Sequence, residues 1–303
     1  MATIQKTTMK RFNGTDWDPI HLATSGDITQ MGETFQVMGE PIGALKVGDT
    51  INSTDTVTAI IKKMLQTRIP ASYTQPSVSL VASGTTKGGN YEVGTTLNGT
   101  LTATFNAGDA GALTNLQIKK GGTAVAEGAS TPQTYSVTGV LGEETQTFQA
   151  TATYEAGAVK DDNLGDPSPD GQIKAGSKNS SSITFTGYRK YFYGADSTGS
   201  AAITASADIR KLTNSNAKAA KGTKFSITVP TGSTRCTIAF DKSVGTLAQV
   251  LYKEAGNSNI TGQFALSEVS VEGADGFTAK AYNVYTILWA QPSVSAMTFD
   301  VTI

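Results

Sequence analysis

The 303-residue sequence has very little of the chemistry on which most enzymes depend. It contains one cysteine, Cys236, and one histidine, His21. A single cysteine excludes an intrachain disulfide, and the pair is too small to form a Cys/His zinc site. A nucleophile activated by histidine would have to use His21, whose strand-like apolar neighbours favour a structural role. Cys236 lies in the alternating segment Thr-Arg-Cys-Thr-Ile-Ala-Phe, which predicts a small side chain facing a core.

Charge and long apolar runs are also scarce. Charged residues make up 16% of the chain and the formal net charge is −1, so we expect no nucleic-acid partner and no anionic-membrane surface. No apolar run approaches the roughly 20 residues of a membrane-spanning helix, so we expect no membrane insertion. The first residues lack the apolar segment of a signal peptide, which predicts a soluble protein made in a cytoplasm. No nucleotide-binding or metalloprotease motif is present, and we expect no cofactor.

Paired carboxylates are the remaining route to catalysis, and they are few. Glu143-Glu144 and Asp161-Asp162 are the only adjacent acidic pairs, and both lie in turn-like segments, which disfavours a polysaccharide-degrading enzyme. The acidic stretch 161–170 has oxygen ligands that suit calcium, but its spacing differs from an EF-hand loop. A solvated loop is the simpler interpretation. We therefore predict a protein that is not an enzyme, with no catalytic and no metal-binding residues.

One amphipathic helix stands out, predicted at 55–67 in an N-terminal arm. Its apolar stripe consists of Val57, Ile60, Ile61, Met64 and Leu65. Ser53 or Thr54 is the predicted N-cap, Asp55 suits the first turn, and Pro70 is expected to end the helix. A helix of about 13 residues is marginal alone, so the stripe needs a partner surface. We expect that surface to include the same helix of another subunit, in a dimer or trimer.

Short alternating strands follow the helix and predict a mainly β fold. Seven or so strands between Pro76 and roughly Asp170 match an immunoglobulin-like sandwich without a cysteine pair. Leu101, Ala103 and Phe105 alternate on one face of such a strand, and a further set of strands continues to residue 303. The expected organisation is an anchoring arm at 1–75, an Ig-like sandwich at 76–180 and a C-terminal β-sandwich at 181–303.

Aromatic residues suggest two interaction sites. Asn13-Gly14 predicts a hairpin turn in a leader that carries Phe12, Trp17 and Ile20 and has no evident core of its own. The leader either docks on another protein or folds back on its own chain. Tyr188, Tyr191, Phe192 and Tyr193 form the second group. Three of them, Tyr188, Tyr191 and Tyr193, are candidate glycan contacts, and the commoner explanation is that the group fills a junction between two sandwiches.

Several segments resemble proteins of tailed bacteriophages. The segment 10–24, Lys-Arg-Phe-Asn-Gly-Thr-Asp-Trp-Asp-Pro-Ile-His-Leu-Ala-Thr, is similar to the opening of tail and fibre proteins. The block from Val57 to Leu80, the Ig-like module and Gly-Tyr-Arg-Lys-Tyr-Phe-Tyr-Gly (187–194) resemble virion fibre proteins of gut phages. Tyr-Asn-Val-Tyr-Thr-Ile-Leu (282–288) fits the same set, including head fibres of crAss-like phages. Each segment is a loose pattern, and together they span most of the chain.

This resemblance implies a structural protein of the virion, assembled in the host cytoplasm as a homo-oligomer. The arm would attach to a capsid, collar or tail protein through Phe12, Trp17, Ile20 and the helix stripe, while the β-domains project from the particle. We expect a head fibre or decoration protein, with adhesion to host or mucus glycans as an additional role, because the chain lacks the long repetitive shaft of a typical tail fibre. The alternative is a tail or baseplate fibre that acts as a receptor-binding protein.

Overall fold

The chain folds into a mainly β protein with 47% strand and 10% helix, which confirms the predicted fold class. The structure, a computed structural model, describes residues 9–12, 17–20, 34–38 and 42–303. Two compact units are present: unit 1 combines Met1–Thr74 with Ala156–Lys174, and unit 2 combines Gln75–Glu155 with Ala175–Ile303. In this described part, no helix is long and apolar enough to cross a bilayer.

Unit 1 holds two small antiparallel strand pairs and one helix. Its elements are β1 (Met9–Phe12), β2 (Trp17–Ile20), β3 (Phe35–Gln36), β4 (Thr50–Ile51) and α1 (Val57–Leu65). β1 pairs with β2 in the register Phe12↔Trp17, and β3 pairs with β4. The predicted hairpin therefore has its two strands, whereas the predicted turn Asn13-Gly14 and His21 lie outside the described residues.

The ends of α1 correct three details of the prediction. Thr56 is the N-cap, since its Oγ1 accepts a hydrogen bond from the Ala59 N–H at 3.1 Å; the cap is neither Ser53 nor Thr54. Asp55 precedes this cap and accepts a hydrogen bond from the Asn52 N–H at 2.7 Å, so it does not contribute to the first turn. The helix ends at Leu65, before Pro70, because Gln66 adopts an extended backbone.

The first sandwich of unit 2 has the strand order of an immunoglobulin-like fold. Its strands are β5 (Ser77–Gly84), β6 (Gly89–Glu92), β7 (Thr96–Asn106), β8 (Leu113–Lys120), β9 (Thr123–Gly128), β10 (Gln133–Val140), β11 (Gln146–Tyr154), β12 (Gly176–Asn179) and β13 (Ile183–Tyr188). One sheet has the order β10-β7-β5, and the other has the order β6-β13-β11-β8-β9 with β12 also on β11. Leu101, Ala103 and Phe105 are buried on one face of β7, as the alternation predicted.

The connection between β11 and β12 leaves the sandwich. Residues Ala156–Lys174 belong to unit 1, although the strands on either side of them belong to unit 2. We call this 19-residue segment the excursion. The sequence placed it in a loop between two β-domains, and the three-part division at residues 75 and 180 stays a prediction.

The second sandwich places two sheets around one core. Its elements are β14 (Lys190–Asp196), α2 (Ser206–Ile209), β15 (Thr213–Lys218), β16 (Lys224–Val229), β17 (Arg235–Asp241), β18 (Gln249–Tyr252), β19 (Ser258–Asn259), β20 (Ala265–Val271), β21 (Lys280–Leu288) and β22 (Met297–Thr302), with short 3-10 turns at Lys242–Val244, Lys253–Ala255, Thr261–Gln263 and Ala274–Gly276. The sheet β15-β14-β17-β21-β20 faces the sheet β16-β22-β18-β19. Ile303, after the last strand, is buried.

Strands β17 and β21 are buried on both faces. On one face, Ile238, Phe240 and Tyr285 belong to the core between the two sheets. On the other face, Ala239 and Val284 pack in a second core with Ile203, Ile209 and Phe192. Because α2 and the preceding segment cover this second face, the two strands carry nearly continuous runs of buried residues instead of an alternating pattern.

A charged network joins the two sandwiches of unit 2. The Arg189 guanidinium is buried, and it donates to Glu143 of the first sandwich at 3.0 Å and to the Thr278 carbonyl of the second at 2.7 Å. Lys280 bridges Glu143 and Asp241, with both N–O distances at 3.0 Å. Buried charges are tolerated when all their hydrogen-bonding groups have partners. Among the described residues, no buried side-chain nitrogen or oxygen lacks one.

Close backbone approach at glycine completes this junction. A Cβ added to Gly94, whose φ is +92°, would lie 2.1 Å from the Ala274 carbonyl oxygen of the second sandwich. The Ala274 N–H in turn donates to the Val93 carbonyl oxygen at 2.8 Å. A side chain at position 94 would therefore separate the two sandwiches, and unit 2 depends on glycine at this point.

Candidate attachment surface

The helix α1 covers only part of its apolar stripe, and none of its residues is fully buried. Ile60 lines a cavity of about 210 Å3 together with the buried side chains of Leu45 and Ile51. The rest of the stripe is exposed: Leu65 to 76%, Ile61 to 47% and Met64 to 40%. Within the described part of the molecule, three of the five predicted stripe residues are therefore exposed.

Exposed apolar side chains are concentrated in unit 1. Of the thirteen large hydrophobic side chains that are exposed in the described residues, eight belong to unit 1, and we call these eight the apolar surface: Met38, Ile42, Val47, Ile61, Met64, Leu65, Ile69 and Val159. The other five are Val81, Val140, Leu266, Leu288 and Val294 of the much larger unit 2. Burial of apolar area contributes about 25 cal/mol per Å2, so association at the apolar surface is favourable.

The predicted stripe residues differ in how exposed they are. Val57 and Ile60 are half-buried, whereas Ile61, Met64 and Leu65 belong to the apolar surface. The leader residues Phe12, Trp17 and Ile20 lie in β1 and β2, and their side chains are outside the described part of the molecule. Their role in attachment stays a prediction.

A groove runs along the C-terminal end of α1. It has a volume of about 560 Å3 and is lined by Met64, Leu65 and Leu164, with charged groups beside them. The Lys46 ammonium contacts the Asp166 carboxylate at its rim, and this hydrogen bond raises the pKa of Lys46. The groove thus combines apolar walls with a charged rim, as protein-binding surfaces commonly do.

The excursion holds the segment that follows α1. The Ile69 N–H donates to Asn163 Oδ1 at 2.7 Å, and the Asn163 side-chain amide donates to the Thr67 carbonyl at 3.0 Å. Further along, the Ala71 N–H donates to Ser168 Oγ at 3.0 Å. These bonds satisfy an extended backbone that has no strand partner, so the excursion gives residues 66–73 a fixed course.

Two further side chains close this contact. The Tyr73 hydroxyl donates to the Gly171 carbonyl and accepts from the Lys160 N–H at 2.8 Å. Arg68 contacts the Asp162 carboxylate and donates to the Pro167 carbonyl at 2.9 Å. Sequence reasoning did not find this contact, because its partners are polar residues far apart in the chain with no periodic pattern.

Residues 161–170 of the excursion are mostly exposed, and one carboxylate among them is buried. The Asp162 side chain is fully buried, and its oxygens accept hydrogen bonds from Arg68 and from the N–H groups of Leu164 and Asp166. In the part of the chain that the structure describes, no three His, Cys, Asp or Glu residues are grouped as metal ligands. Asp162 is therefore a structural residue.

The aromatic segment after β13 fills the interior of unit 2. Tyr191 belongs to the core between the sheets and Phe192 to the second core, while Tyr193 stacks on Phe225 with ring centroids 4.7 Å apart. Tyr188 is also buried. The rings of Tyr188 and Tyr191 are enclosed, which does not support a glycan contact at these two residues. Tyr193 is half-buried and lines a cleft of the second sandwich, so its glycan contact stays a prediction. The rings at 191–193 enter the second sandwich, as the commoner explanation expected.

Cys236 is inert in the folded chain. Its side chain lies inside the core between the sheets, and burial raises the pKa of the thiol to about 12, with a smaller contribution from Asp196. Since the thiolate is the nucleophilic form, this cysteine suits packing and not catalysis. The predicted structural role of Cys236 agrees with this placement.

Comparison of the chain with protein-family models, curated proteins and solved structures finds no significant match.

Proposed function

We propose that this chain is a structural, non-enzymatic protein of a bacteriophage particle. In this proposal it is a head fibre or decoration protein that attaches through unit 1 and presents its two β-sandwiches outward. The observation that carries the proposal is the apolar surface, which places most of the exposed large hydrophobic side chains on the smaller unit. The resemblance of several segments to phage fibre proteins is the reason for proposing a bacteriophage particle.

The difference between the two units in exposed apolar side chains supports attachment through unit 1. Unit 2 encloses its own cores and joins its sandwiches by the charged network around Arg189. The described part of unit 1, by contrast, leaves Ile61, Met64 and Leu65 of α1 exposed, and the last two line a groove. Exposed apolar patches of this kind mark protein-binding sites. Their partners in this proposal are other copies of the chain and a capsid, collar or tail protein.

A single labelled cysteine tests the position of the protein on the particle. Because Cys236 is buried, a Val294→Cys variant has one accessible thiol: Val294 is 95% exposed in the connection between β21 and β22. Particles of the encoding phage carrying this variant are treated with maleimide-gold and imaged. We expect gold around the head, and the parent chain with Cys236 alone should remain unlabelled.

Other labelling results would favour the alternative function, refute the proposal or invalidate the label. Gold at the tail or baseplate would favour a receptor-binding fibre over a head fibre. Particles that lack the chain altogether, verified by mass spectrometry of purified virions, would refute a role in the virion. Labelling of the parent chain would show that the reporter itself is not specific.

A further inference from the structure

The second sandwich carries a large cleft beside the end of β14 at which Asp196 lies. The cleft has a volume of about 840 Å3 and lies beside β14, β15 and β16. β14 begins at Lys190, whose ammonium is 3.3 Å from Glu92 of the first sandwich. It ends at Asp196, which pairs with Arg235, and these two residues line the cleft. The part of the lining that holds Asp208 and Lys211 adjoins the first sandwich, since Arg210 pairs with Glu92 at 2.6 Å.

The lining of the cleft combines hydroxyl groups with small apolar patches. Six residues with hydroxyl side chains line it: Tyr193, Thr198, Thr204, Thr213, Ser226 and Thr228. Leu212, Ala202 and Pro230 lie among them. A hydroxyl group both donates and accepts hydrogen bonds, so this lining suits a ligand that has many hydroxyls of its own and C–H surfaces between them.

The charged side chains of the cleft are paired with one another. Arg235 donates to Asp196 Oδ2 from Nε at 2.9 Å and from Nη2 at 2.7 Å, and Lys211 donates to Asp208 at 2.8 Å. Two carboxylates thus face two cations, and no charge of one sign is in excess. An anionic ligand such as a phosphate would lack the unpaired arginine or lysine that usually binds it.

The loop at the mouth of the cleft is held in one conformation. Asp196 Oδ1 accepts from the Gly199 N–H at 2.7 Å, and Arg235 Nη1 donates to the Ala201 carbonyl at 2.8 Å. A Cβ at Gly199 would lie 2.3 Å from Arg235 Nε, so the guanidinium packs directly on the loop backbone. A wall that is ordered before binding lowers the entropic cost of association.

We propose that this cleft binds a neutral oligosaccharide. Sugar hydroxyls would exchange hydrogen bonds with the threonine and serine side chains, and sugar C–H faces would lie on Leu212 and Pro230. The size of the cleft accommodates a few sugar units, since small-molecule sites have volumes of about 300–1,000 Å3. The inference concerns unit 2 and does not depend on attachment to a particle.

Saturation-transfer NMR on the purified full-length chain tests this proposal. The probes are neutral oligosaccharides of glucose, galactose, mannose and N-acetylglucosamine, and sulfated oligosaccharides are measured beside them. Thr228→Trp fills the cleft from β16, and Thr204→Trp fills it from the segment before α2. Thr138→Trp is the matched control, because Thr138 is an exposed strand residue of the first sandwich outside the cleft.

We expect at least one neutral probe to bind, with both cleft variants weakening its Kd by about tenfold or more, whereas the control stays within about twofold. Melting curves of all variants establish whether unit 2 is folded. If one cleft variant does not fold, the binding measurement on the other cleft variant tests the proposal. The proposal is overturned if no neutral probe binds, if the sulfated probes bind equally well, or if binding survives in a folded cleft variant.

Discussion

The guanidinium of Arg68 contacts the carboxylate of Asp162, a fully buried side chain that lies 94 positions further along the sequence. Burial by itself raises the pKa of Asp162, but hydrogen bonds from the Asp166 N–H, Arg68 and the Leu164 N–H outweigh it and hold the pKa below its ordinary value. The excursion and the segment after α1 are thus joined by a charged pair inside unit 1.

Arg68→Ala should loosen the excursion without affecting the sandwiches. The substitution leaves Asp162 buried without its cation, so residues 156–174 should open more often. We expect limited proteolysis within the excursion to accelerate by on the order of tenfold, because cleavage follows the population of the open form. The melting temperature of unit 2 should stay unchanged.

Lys211→Ala serves as the control for this experiment. It removes an ion pair with Asp208 whose side chains are both exposed, and such pairs contribute little to stability. If the excursion is cleaved at the same rate in Arg68→Ala as in the parent chain, the pair does not hold it.

The junction of the two sandwiches should respond to acid through Glu143. Burial raises the pKa of this carboxyl, but hydrogen bonds from Lys280 and Arg189 lower it below its ordinary value of 4.5. A carboxyl with a lowered folded pKa adds stability that is complete above about pH 4.5 and is lost as the pH falls through the folded pKa. Glu143→Gln should therefore lower the Tm at pH 7.

The measurement is the Tm of the parent and Glu143→Gln chains between pH 3 and 8. We expect a difference of about 2–4 °C at pH 7 that shrinks below pH 4.5, because the parent loses this contribution there. Glu144→Gln, a change at the neighbouring acidic residue, is the control. A difference between parent and variant that is independent of pH would argue against the charged contact.

The sequence predicted local features well and long-range polar contacts poorly. The stripe of α1 and the alternation of β7 follow from a periodicity that any buried face imposes. The contact of Arg68 with Asp162 has no such signal, since both residues look like ordinary surface residues until the fold brings them together. The burial of Tyr191 agrees with the favoured explanation of the aromatic group, but composition alone left a binding site open as well, because an aromatic cluster has the same composition in a core as at a binding site.

Gly187→Ala should strongly destabilise the first sandwich. An added Cβ would lie 1.8 Å from the Gly142 carbonyl oxygen, a backbone atom that cannot move away alone. We expect a loss of about 2–4 kcal/mol in the free energy of unfolding by urea. Gly142→Ala is the matched control, because a Cβ there meets no atom within 4 Å; equal effects of the two changes would contradict the steric explanation.

Ile61→Asp should convert an oligomer into monomers. Ile61 belongs to the apolar surface, and a charge there would be buried without a partner in an assembly that covers α1. We expect sedimentation velocity at micromolar concentration to give a dimer or trimer for the parent chain and a monomer for the variant. Leu266→Asp, at a similarly exposed leucine in β20 of unit 2, should leave the assembly intact. A monomeric parent chain would refute oligomerisation through this helix.

The excursion also sets the number of covalent connections between the two units. Because unit 1 contains Ala156–Lys174 as well as the N-terminal segment, the chain crosses between the two units three times, after residues 74, 155 and 174. Unit 1 is therefore linked to unit 2 by three covalent connections, whereas a simple tether has one. A single proteolytic nick at any crossing leaves the other two intact, so a projecting fibre built in this way would survive damage that severs an ordinary linker.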